Sequence, residues 1–487
     1  MLQYAATTFA VSPRLGARGN SLLGHTAGGV YTPLQSTLVL LDDGRQRLAL
    51  LTSHFASLLA VPVSNLLRRR VADTLGLDRR QVLLFSSHNH CDVQTLHTPP
   101  AWPPDPDNET AETELTTEGR QVLDGFLQTA AALPGRLQPA RVRYGVGHER
   151  RITHNRKGRR ADGSTYFMRE EDRLRLGVDF CGDIDDDAFV VGFFAAGGQP
   201  LGFLTQFTGH PVTAYHPEHP IVHGEYPQVA CDALSAAYGG VPVGFLQGCA
   251  GDSNSKGLLA ATPVEENVRN AERYGHYLGE TFRQVADALT PSARDDLRIA
   301  WREVAVPTQP VPPPAVLERR LGEVHAFLAR CDADDDAGTR TCDGLNFPAT
   351  MSPAYRKALI EPTRQWLEWA LARHRGDDGP APIRVSLRVA ALRIGDVGIV
   401  GLPCEPFLGI GRQIKQASPL PLTLPCGYMN DTQFNYVPDS PNCRDTEYMS
   451  SFYRYRLGLL PFRKPAGDVL ARAGVALLRQ LTPEAHR

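Results

Sequence analysis

The sequence lacks the charge imbalance of a protein that binds nucleic acid or an anionic membrane surface. Its 487 residues include 51 lysines and arginines against 53 aspartates and glutamates, and the formal net charge is −2. Sites for nucleic acid need a sustained excess of basic residues. The composition therefore argues against such partners, and we expect a small-molecule substrate instead.

Membrane and secretion signals are also missing. No apolar run approaches the length of a bilayer span, and the first residues lack a basic segment followed by an apolar one. We therefore expect a cytoplasmic protein with no integral membrane segment. No feature of the sequence indicates its oligomeric state.

Cysteine chemistry has little support. The nine cysteines are scattered, odd in number and without a C-x-x-C pair, so neither a disulfide framework nor a thiolate zinc site is indicated. Cys91 stands next to His90 and could be polarised by it, yet a small buried residue is the commoner use of such a cysteine.

Two familiar catalytic motifs are absent. Ser253 and Ser255 follow an apolar run, but the G-x-S-x-G turn of an α/β-hydrolase is missing there. A turn in which Asp252 and these serines bond to the backbone is an equally good interpretation. The glycine-rich pieces lack the lysine of a phosphate cradle, so nucleotide binding has little support.

What the sequence does contain is a regular alternation of apolar runs with segments of helical periodicity. This rhythm is typical of an α/β fold with layered sheets flanked by helices. Expected strands cover 36–41, 48–53, 82–86, 189–195, 201–207, 243–247, 384–394 and 397–402, and expected helices cover 64–75, 228–237 and 467–481.

We interpret residues 1–487 as one catalytic domain with a helical insertion at about 307–380. A proline-rich stretch opens the insertion, and two helix-like segments, 315–329 and 352–373, are joined by an acidic, glycine-containing stretch.

The most informative motif is His88-Asn89-His90, directly after the apolar run at 82–86. On an extended backbone residues i and i+2 share a face, so one imidazole could hold a divalent metal while the other moves protons. His210 and Glu405 also follow expected strands, where sites in α/β proteins gather. A histidine in such a place is also often a hydrogen-bonded structural residue, and that alternative stays open.

The carboxy-terminal region is rich in tyrosine, at positions 428, 436, 448, 453 and 455. Most of these side chains should pack in the core or in a pocket wall. Tyr436 and Tyr448 lie in loop-like sequence, and either could bind a metal or donate to an oxyanion.

Several short motifs follow one another along the chain. They are Gly29-Val30-Tyr31-Thr32-Pro33-Leu34, Ser86-Ser87-His88-Asn89-His90, Asn155-Arg156, Phe207-Thr208-Gly209-His210-Pro211, the run from Phe245 to Asp252, the run from Gly401 to Phe407, and Tyr436-Val437-Pro438 with Tyr448 twelve residues later. This order resembles that of the neutral ceramidase family, the zinc-dependent amidases that hydrolyse N-acylsphingosines.

The resemblance implies a ceramidase-type catalytic domain and a set of roles. Zinc would be held by His88, His210, Glu405 and Tyr436, with His90 as general acid/base and with Arg156 and Tyr448 near the substrate carbonyl. Zinc with an open coordination position activates water near neutral pH. Tyr448 would then donate to the developing oxyanion, and His90 would pass a proton to the leaving amine.

The chain also departs from the family pattern. Asn254 stands where the ceramidases have a serine, Cys91-Asp92-Val93 replaces the S-G-P after the H-T-H motif, and Cys404 replaces the glycine of L-P-G-E. Because the last expected helix lies close to residue 487, we also expect no carboxy-terminal immunoglobulin-like domain. These departures count against a serine nucleophile and indicate a different pocket rim.

The leading hypothesis is a zinc-dependent amidohydrolase that cleaves a linear amide of an N-acyl substrate. One alternative uses the same centre on an ester, a lactone or another bond, since the ligands set the nucleophile and the pocket sets the substrate. A second alternative is a non-catalytic binding protein that kept the fold.

Overall fold

The structure is a computed structural model, and it describes residues 1–98, 107–260, 263–376, 384–430, 434–444, 451, 453–454 and 457–482. In chain order its strands are β1 (Gln3–Val11), β2 (Leu34–Asp42), β3 (Arg47–Ser53), β4 (Val82–Ser86), β5 (Gln138–Pro139), β6 (Arg141–His148), β7 (Thr153–Asn155), β8 (Lys157–Arg159), β9 (Thr165–Phe167), β10 (Asp187–Phe194), β11 (Pro200–Phe207), β12 (Val243–Gln247), β13 (Ser253–Ser255), β14 (Thr290–Pro291), β15 (Leu297–Pro307), β16 (Thr341–Cys342), β17 (Leu345–Asn346), β18 (Arg384–Ile394), β19 (Val397–Gly401), β20 (Cys404–Pro406), β21 (Leu422–Cys426) and β22 (Phe434–Val437).

The helices are α1 (Val61–Leu75), α2 (Thr117–Ala132), α3 (Glu170–Arg175), α4 (Glu225–Ala237), α5 (Val264–Ala286), α6 (Pro314–Asp332), α7 (Pro353–His374), α8 (Leu408–Ala417) and α9 (Asp468–Leu481). None of these described helices combines the length and the apolar character that a membrane span requires. Local chemistry sets their ends. In α1, for example, a proline lies in the first turn and Gly76 follows the last turn with a φ of 65°, a left-handed conformation that glycine adopts without strain.

Three sheets form the body of the protein. Their strand orders are β4-β3-β2-β1-β5 in the first sheet, β12-β11-β10-β6-β14 in the second and β15-β18-β19-β21 in the third. Each sheet contains one pair of parallel strands joined by a helix: β3-α1-β4, β11-α4-β12 and β19-α8-β21. Binding sites in α/β proteins form at the carboxyl ends of such strands, so three candidate site edges arise from this topology.

The three sheets share one core. Val39 of the first sheet, Phe193 of the second and Leu392 of the third belong to a single buried apolar cluster between the sheets. The outer face of each sheet is covered by two helices: α1 and α2, α4 and α5, or α8 and α9. Strands β4, β12, β19 and β21 are therefore buried on both faces, which explains their nearly continuous apolar runs.

The predicted α/β class, with layered sheets flanked by helices, is confirmed. The expected strands at 82–86, 243–247 and 384–394 coincide with β4, β12 and β18. The expected helical pair is present as α6 and α7, and it lies between β15 and β18, which pair antiparallel along 11 residues. Residues 377–380 of the expected insertion lie outside the described part of the chain, and the division into one domain with an insertion stays an interpretation of the sequence.

Candidate metal centre

The candidate site lies where the three β-α-β units end, and the buried side chain of Gln247 connects those ends. Its Nε2 donates to the carbonyl oxygens of Ser87 at 2.9 Å and Gly209 at 2.8 Å, and its Oε1 accepts from the N–H of Gly248 at 3.0 Å. The N–H of Gly427 donates to the carbonyl oxygen of Gln247 at 3.1 Å. Because these partners follow β4, β11, β12 and β21, one residue fixes the relative positions of all three sheet edges.

His88 reaches the site through a turn. Its φ is 61°, and its backbone N–H donates to the Ser86 hydroxyl at 3.1 Å. The expectation of an extended backbone across His88 and His90 is therefore wrong. Their rings nevertheless meet edge to face, with centroids 4.8 Å apart. A left-handed conformation at a non-glycine residue costs about 1–3 kcal/mol, and such strain is concentrated at functional sites.

His210 and Glu405 form the centre of the site. Nδ1–H of His210 donates to the carbonyl oxygen of Ala250 at 2.7 Å, which leaves the lone pair of the neutral ring on Nε2. That Nε2 lies 3.0 Å from Oε2 of Glu405, and Nε2 of His88 lies 3.4 Å from the same oxygen. Two imidazole nitrogens therefore converge on one carboxylate oxygen.

Tyr436 and Arg156 complete this side of the site. Tyr436 is the register partner of Glu405 in the parallel pair of β20 and β22, and its hydroxyl lies 3.4 Å from Nε2 of His210. The guanidinium carbon of Arg156 lies 4.8 Å from the centroid of the Tyr436 ring. Arg156 also donates to the carbonyl oxygen of Gly251 at 2.6 Å and to Oδ1 of Asn254 at 3.2 Å, so its orientation is fixed.

Burial and mutual charge set the protonation of these groups. Burial lowers the pKa of His210 to about 4, with a further lowering from Arg156, and burial with the neighbouring histidines lowers the pKa of His90 well below its usual value. Burial by itself raises the pKa of Glu405, but His88 and His210 outweigh it and hold that pKa well below the usual range. Neutral imidazoles and an ionised carboxylate are the protonation states that bind metal ions.

These residues fit a divalent cation. One ring nitrogen from each of His88, His90 and His210 lies within 4.8 Å of the others. Nδ1 of His88 and Nε2 of His90 are buried and make no hydrogen bond within the described part of the chain. Facing lone pairs of His210 and Glu405 repel each other unless a cation or a proton lies between them, and the backbone bond at Nδ1 is the usual second contact of a metal-binding histidine.

The centre opens into a cleft of about 480 Å³. Its lining includes polar groups of the centre, namely His88, His90, His210, Glu405, Tyr436 and Arg156. It also includes apolar side chains of the segment between β15 and β18, among them Leu345, Met351 and Leu359. The cleft therefore combines the polar groups of the centre with an apolar wall from that segment.

Six of the seven site residues expected from the sequence thus line one cleft. Tyr448, the seventh, lies outside the described residues. Asn254 lines the cleft, whereas neither Ser253 nor Ser255 belongs to its lining. The hydroxyl of Ser255 instead accepts from the backbone N–H of Val212 at 3.2 Å and bonds to the hydroxyl of Thr213 at 2.8 Å, a structural use.

Solved structures provide the comparison. A ceramidase complexed with C2 superposes with a TM-score of 0.65 at 14% identity, over 99% of this chain and 76% of that chain. A crystal structure of neutral ceramidase from Pseudomonas aeruginosa superposes with a TM-score of 0.63 at 15% identity, over 99% of this chain and 75% of that chain. The chain has a neutral-ceramidase-type fold. No protein-family model and no curated protein sequence matches it.

Within this ceramidase-type fold, sequence reasoning missed three residues that shape the site. Gln247 reads as the last residue of an apolar strand, and only its position between three sheets gives it a role. Tyr428 is fully buried, and its ring centroid lies 4.4 Å from that of His88. Tyr215 lies 5.1 Å from the His90 ring and lines the cleft. For Tyr428 the sequence offers one signal, the high density of tyrosines after residue 420, and that density does not distinguish a site residue from a residue that packs in the core.

Proposed function

We propose that this protein is a zinc-dependent amidohydrolase that cleaves a linear amide bond of an N-acyl substrate. One observation carries the proposal: the lone pair on Nε2 of His210 faces Oε2 of Glu405 at 3.0 Å, while Nε2 of His88 approaches the same oxygen at 3.4 Å. Imidazole and carboxylate ligands in this combination suit Zn²⁺.

His88, His210, Glu405 and Tyr436 would hold the zinc ion. Three of them offer imidazole nitrogen or carboxylate oxygen donors, and the Tyr436 hydroxyl lies 3.4 Å from Nε2 of His210, close enough to contact the same ion. Zinc, when bound, supplies a Lewis acid that activates water for attack near neutral pH. Asn254 in the serine position, with Ser253 and Ser255 outside the cleft lining, supports water rather than serine as the nucleophile.

His90 is proposed to carry the proton. It lines the cleft, its ring lies 4.8 Å from that of His88, and its Nε2 is buried without a hydrogen-bond partner among the described residues. Nε2 of His90 could therefore deliver a proton to the leaving amine, as general acid catalysis of amide cleavage requires. His90 also lies close enough to act as a third imidazole ligand, and metal content of a variant separates the two roles.

The cleft supports an N-acyl substrate. Its apolar wall, with Leu345, Met351 and Leu359, suits an acyl chain, and Arg156 among the polar groups offers a donor near the position of a substrate carbonyl. The structures with the same fold are ceramidases, so an amide is the bond we propose.

Metal analysis combined with a substrate panel tests the proposal. Purified protein should contain zinc in a stoichiometric amount, should lose hydrolysis of N-acyl amides on chelation and should regain it on adding zinc. Matched esters and lactones in the same panel test the alternative bonds. Protein that contains no metal as purified and gains no activity with any divalent cation would leave only the non-catalytic binding role.

A further inference from the structure

A second cavity shares no lining residue with the cleft and is lined by five arginines. It measures about 450 Å³ and lies between α1, the turn before β4, β15 and β18. The arginines are Arg68, Arg79, Arg80, Arg302 and Arg388. The described lining includes only two carboxylates, Asp107 and Glu303. The cavity therefore has an excess of three positive charges among the described residues.

Contacts within the protein account for three of the five arginines. Arg68 is buried and donates to the carbonyl oxygens of Val82 at 2.9 Å and Arg79 at 3.2 Å. Asp107 accepts from Arg388 at 2.9 Å and lies 3.6 Å from Arg79. These contacts hold three guanidinium groups in place around the cavity, as in a preorganised binding site.

Arg80 and Arg302 supply the excess charge. Both are exposed, and no carboxylate of a described residue lies within 4.0 Å of either guanidinium. Glu303, next to Arg302, is engaged by the hydroxyl of Ser386 at 2.6 Å. Like charges around one concave surface raise its electrostatic potential, and a bound anion relieves the repulsion.

We propose that this cavity binds a phosphate-containing anion with more than one negative charge. Guanidinium groups form paired hydrogen bonds with phosphate oxygens, which makes arginine the preferred residue for such sites. The volume exceeds what a single inorganic ion fills and suits a diphosphate or a phosphate ester. The same chemistry is found in a soluble phosphate compound and in a phospholipid headgroup. The inference does not depend on the metal centre.

Trp301 provides a direct readout. It lines the cavity, its Nε1–H donates to the carbonyl oxygen of Arg80 at 3.1 Å, and the Arg68 guanidinium lies 6.0 Å from its ring. Pyrophosphate is titrated into the intact protein while tryptophan fluorescence and binding heat are followed. We expect saturable binding that weakens with added salt. In Arg80→Ser/Arg302→Ser, binding should be at least about tenfold weaker, because charge-assisted hydrogen bonds are lost.

Matched variants and a vesicle experiment complete the test. Arg269→Ser/Arg273→Ser removes the same charge from α5 and should leave binding unchanged, and circular dichroism verifies that both double variants are folded. Arg80→Lys/Arg302→Lys should bind with intermediate affinity. Sedimentation with vesicles that contain phosphatidic acid, compared with vesicles of phosphatidylcholine alone, tests the headgroup source. Loss of pyrophosphate binding in Arg80→Ser/Arg302→Ser supports the site and indicates a soluble phosphate compound as the ligand. Loss of vesicle binding in the same variant supports the site and indicates a phospholipid headgroup. The proposal is overturned if neither ligand distinguishes that variant from the α5 control.

Discussion

Nε2 of His210 lies 3.0 Å from Oε2 of Glu405, although the two residues are 195 positions apart in the chain. The carbonyl oxygen of Ala250, 2.7 Å from Nδ1, directs the lone pair of the histidine at the carboxylate. Two acceptors at this distance need a cation or a proton between them. His88 approaches the same carboxylate oxygen from a second sheet, so the arrangement favours a metal ion bound by several ligands over a single shared proton.

Removing either member of this pair should release the metal. In His210→Ala and Glu405→Gln we expect zinc content to fall to background, and the melting temperature should no longer rise on adding zinc, because a ligand stabilises only the state that binds it. Elemental analysis and thermal denaturation with and without zinc measure both effects. Glu265→Gln, an exposed change on α5, is the control. A zinc-replete Glu405→Gln protein would contradict the ligand assignment.

His88 and His90 should separate metal binding from turnover. His88→Ala should lose zinc, because Nε2 of His88 lies beside Glu405. His90→Ala should keep zinc and lose about 10²–10⁴-fold in kcat, the usual contribution of a general acid. Zinc content and kcat of the two variants measured side by side decide the assignment. Loss of zinc in both would make His90 a third imidazole ligand instead.

The two serines of β13 should be dispensable for chemistry. Ser253→Ala should retain kcat within about twofold, since Ser253 does not line the cleft and a nucleophile would cost orders of magnitude. A fluorophosphonate probe should leave the intact protein unlabelled. Asn254→Ala should lower kcat without loss of zinc, because the Oδ1 atom that accepts from Arg156 at 3.2 Å is removed. Labelling that depends on Ser253 would restore the serine mechanism.

The apolar wall should set the preferred acyl length. Leu359 of α7 lines the cleft, so Leu359→Trp should reduce kcat/KM for long acyl chains by about tenfold relative to acetyl substrates, within the range that steric fit in an apolar pocket provides. Ala354→Trp places the same ring at an exposed position of α7 and should change neither value. Equal loss for short and long substrates would place the acyl chain elsewhere.

Gln247 should be a determinant of stability. Gln247→Leu removes the donor of the Ser87 carbonyl oxygen, whereas the carbonyl oxygen of Gly209 keeps the Tyr226 hydroxyl and the N–H of Gly248 keeps the carbonyl oxygen of Phe207. A buried unsatisfied group costs about 1–3 kcal/mol, and we expect the free energy of unfolding to fall by that amount in denaturant titrations. Gln284→Leu, at an exposed position of α5, provides the control. A stability loss no larger than that of Gln284→Leu would contradict the connecting role.

Much of the fold follows from local pattern. The apolar runs at 82–86 and 243–247 predict β4 and β12 because their side chains are buried on both faces. The segment 384–394 predicts β18, which is buried on both faces only over residues 389–394. Other elements escaped prediction. The longest helix, α5, mixes small, charged and aromatic residues, and its apolar stripe is recognisable only once it lies on the second sheet. Strand β15 exposes much of one face and carries few continuous apolar residues.

The residues of the site likewise include some that the sequence predicts and others that only the structure reveals. The sequence by itself determined which residue types follow which strands, because an apolar strand that ends in histidine or glutamate places that side chain at a sheet edge. Only the tertiary structure decided that three such edges meet, that the chain turns at His88 instead of continuing extended, and that Gln247 joins the ends. Those outcomes depend on the packing of three sheets around one core, and interactions between residues hundreds of positions apart leave no periodic signal in the chain.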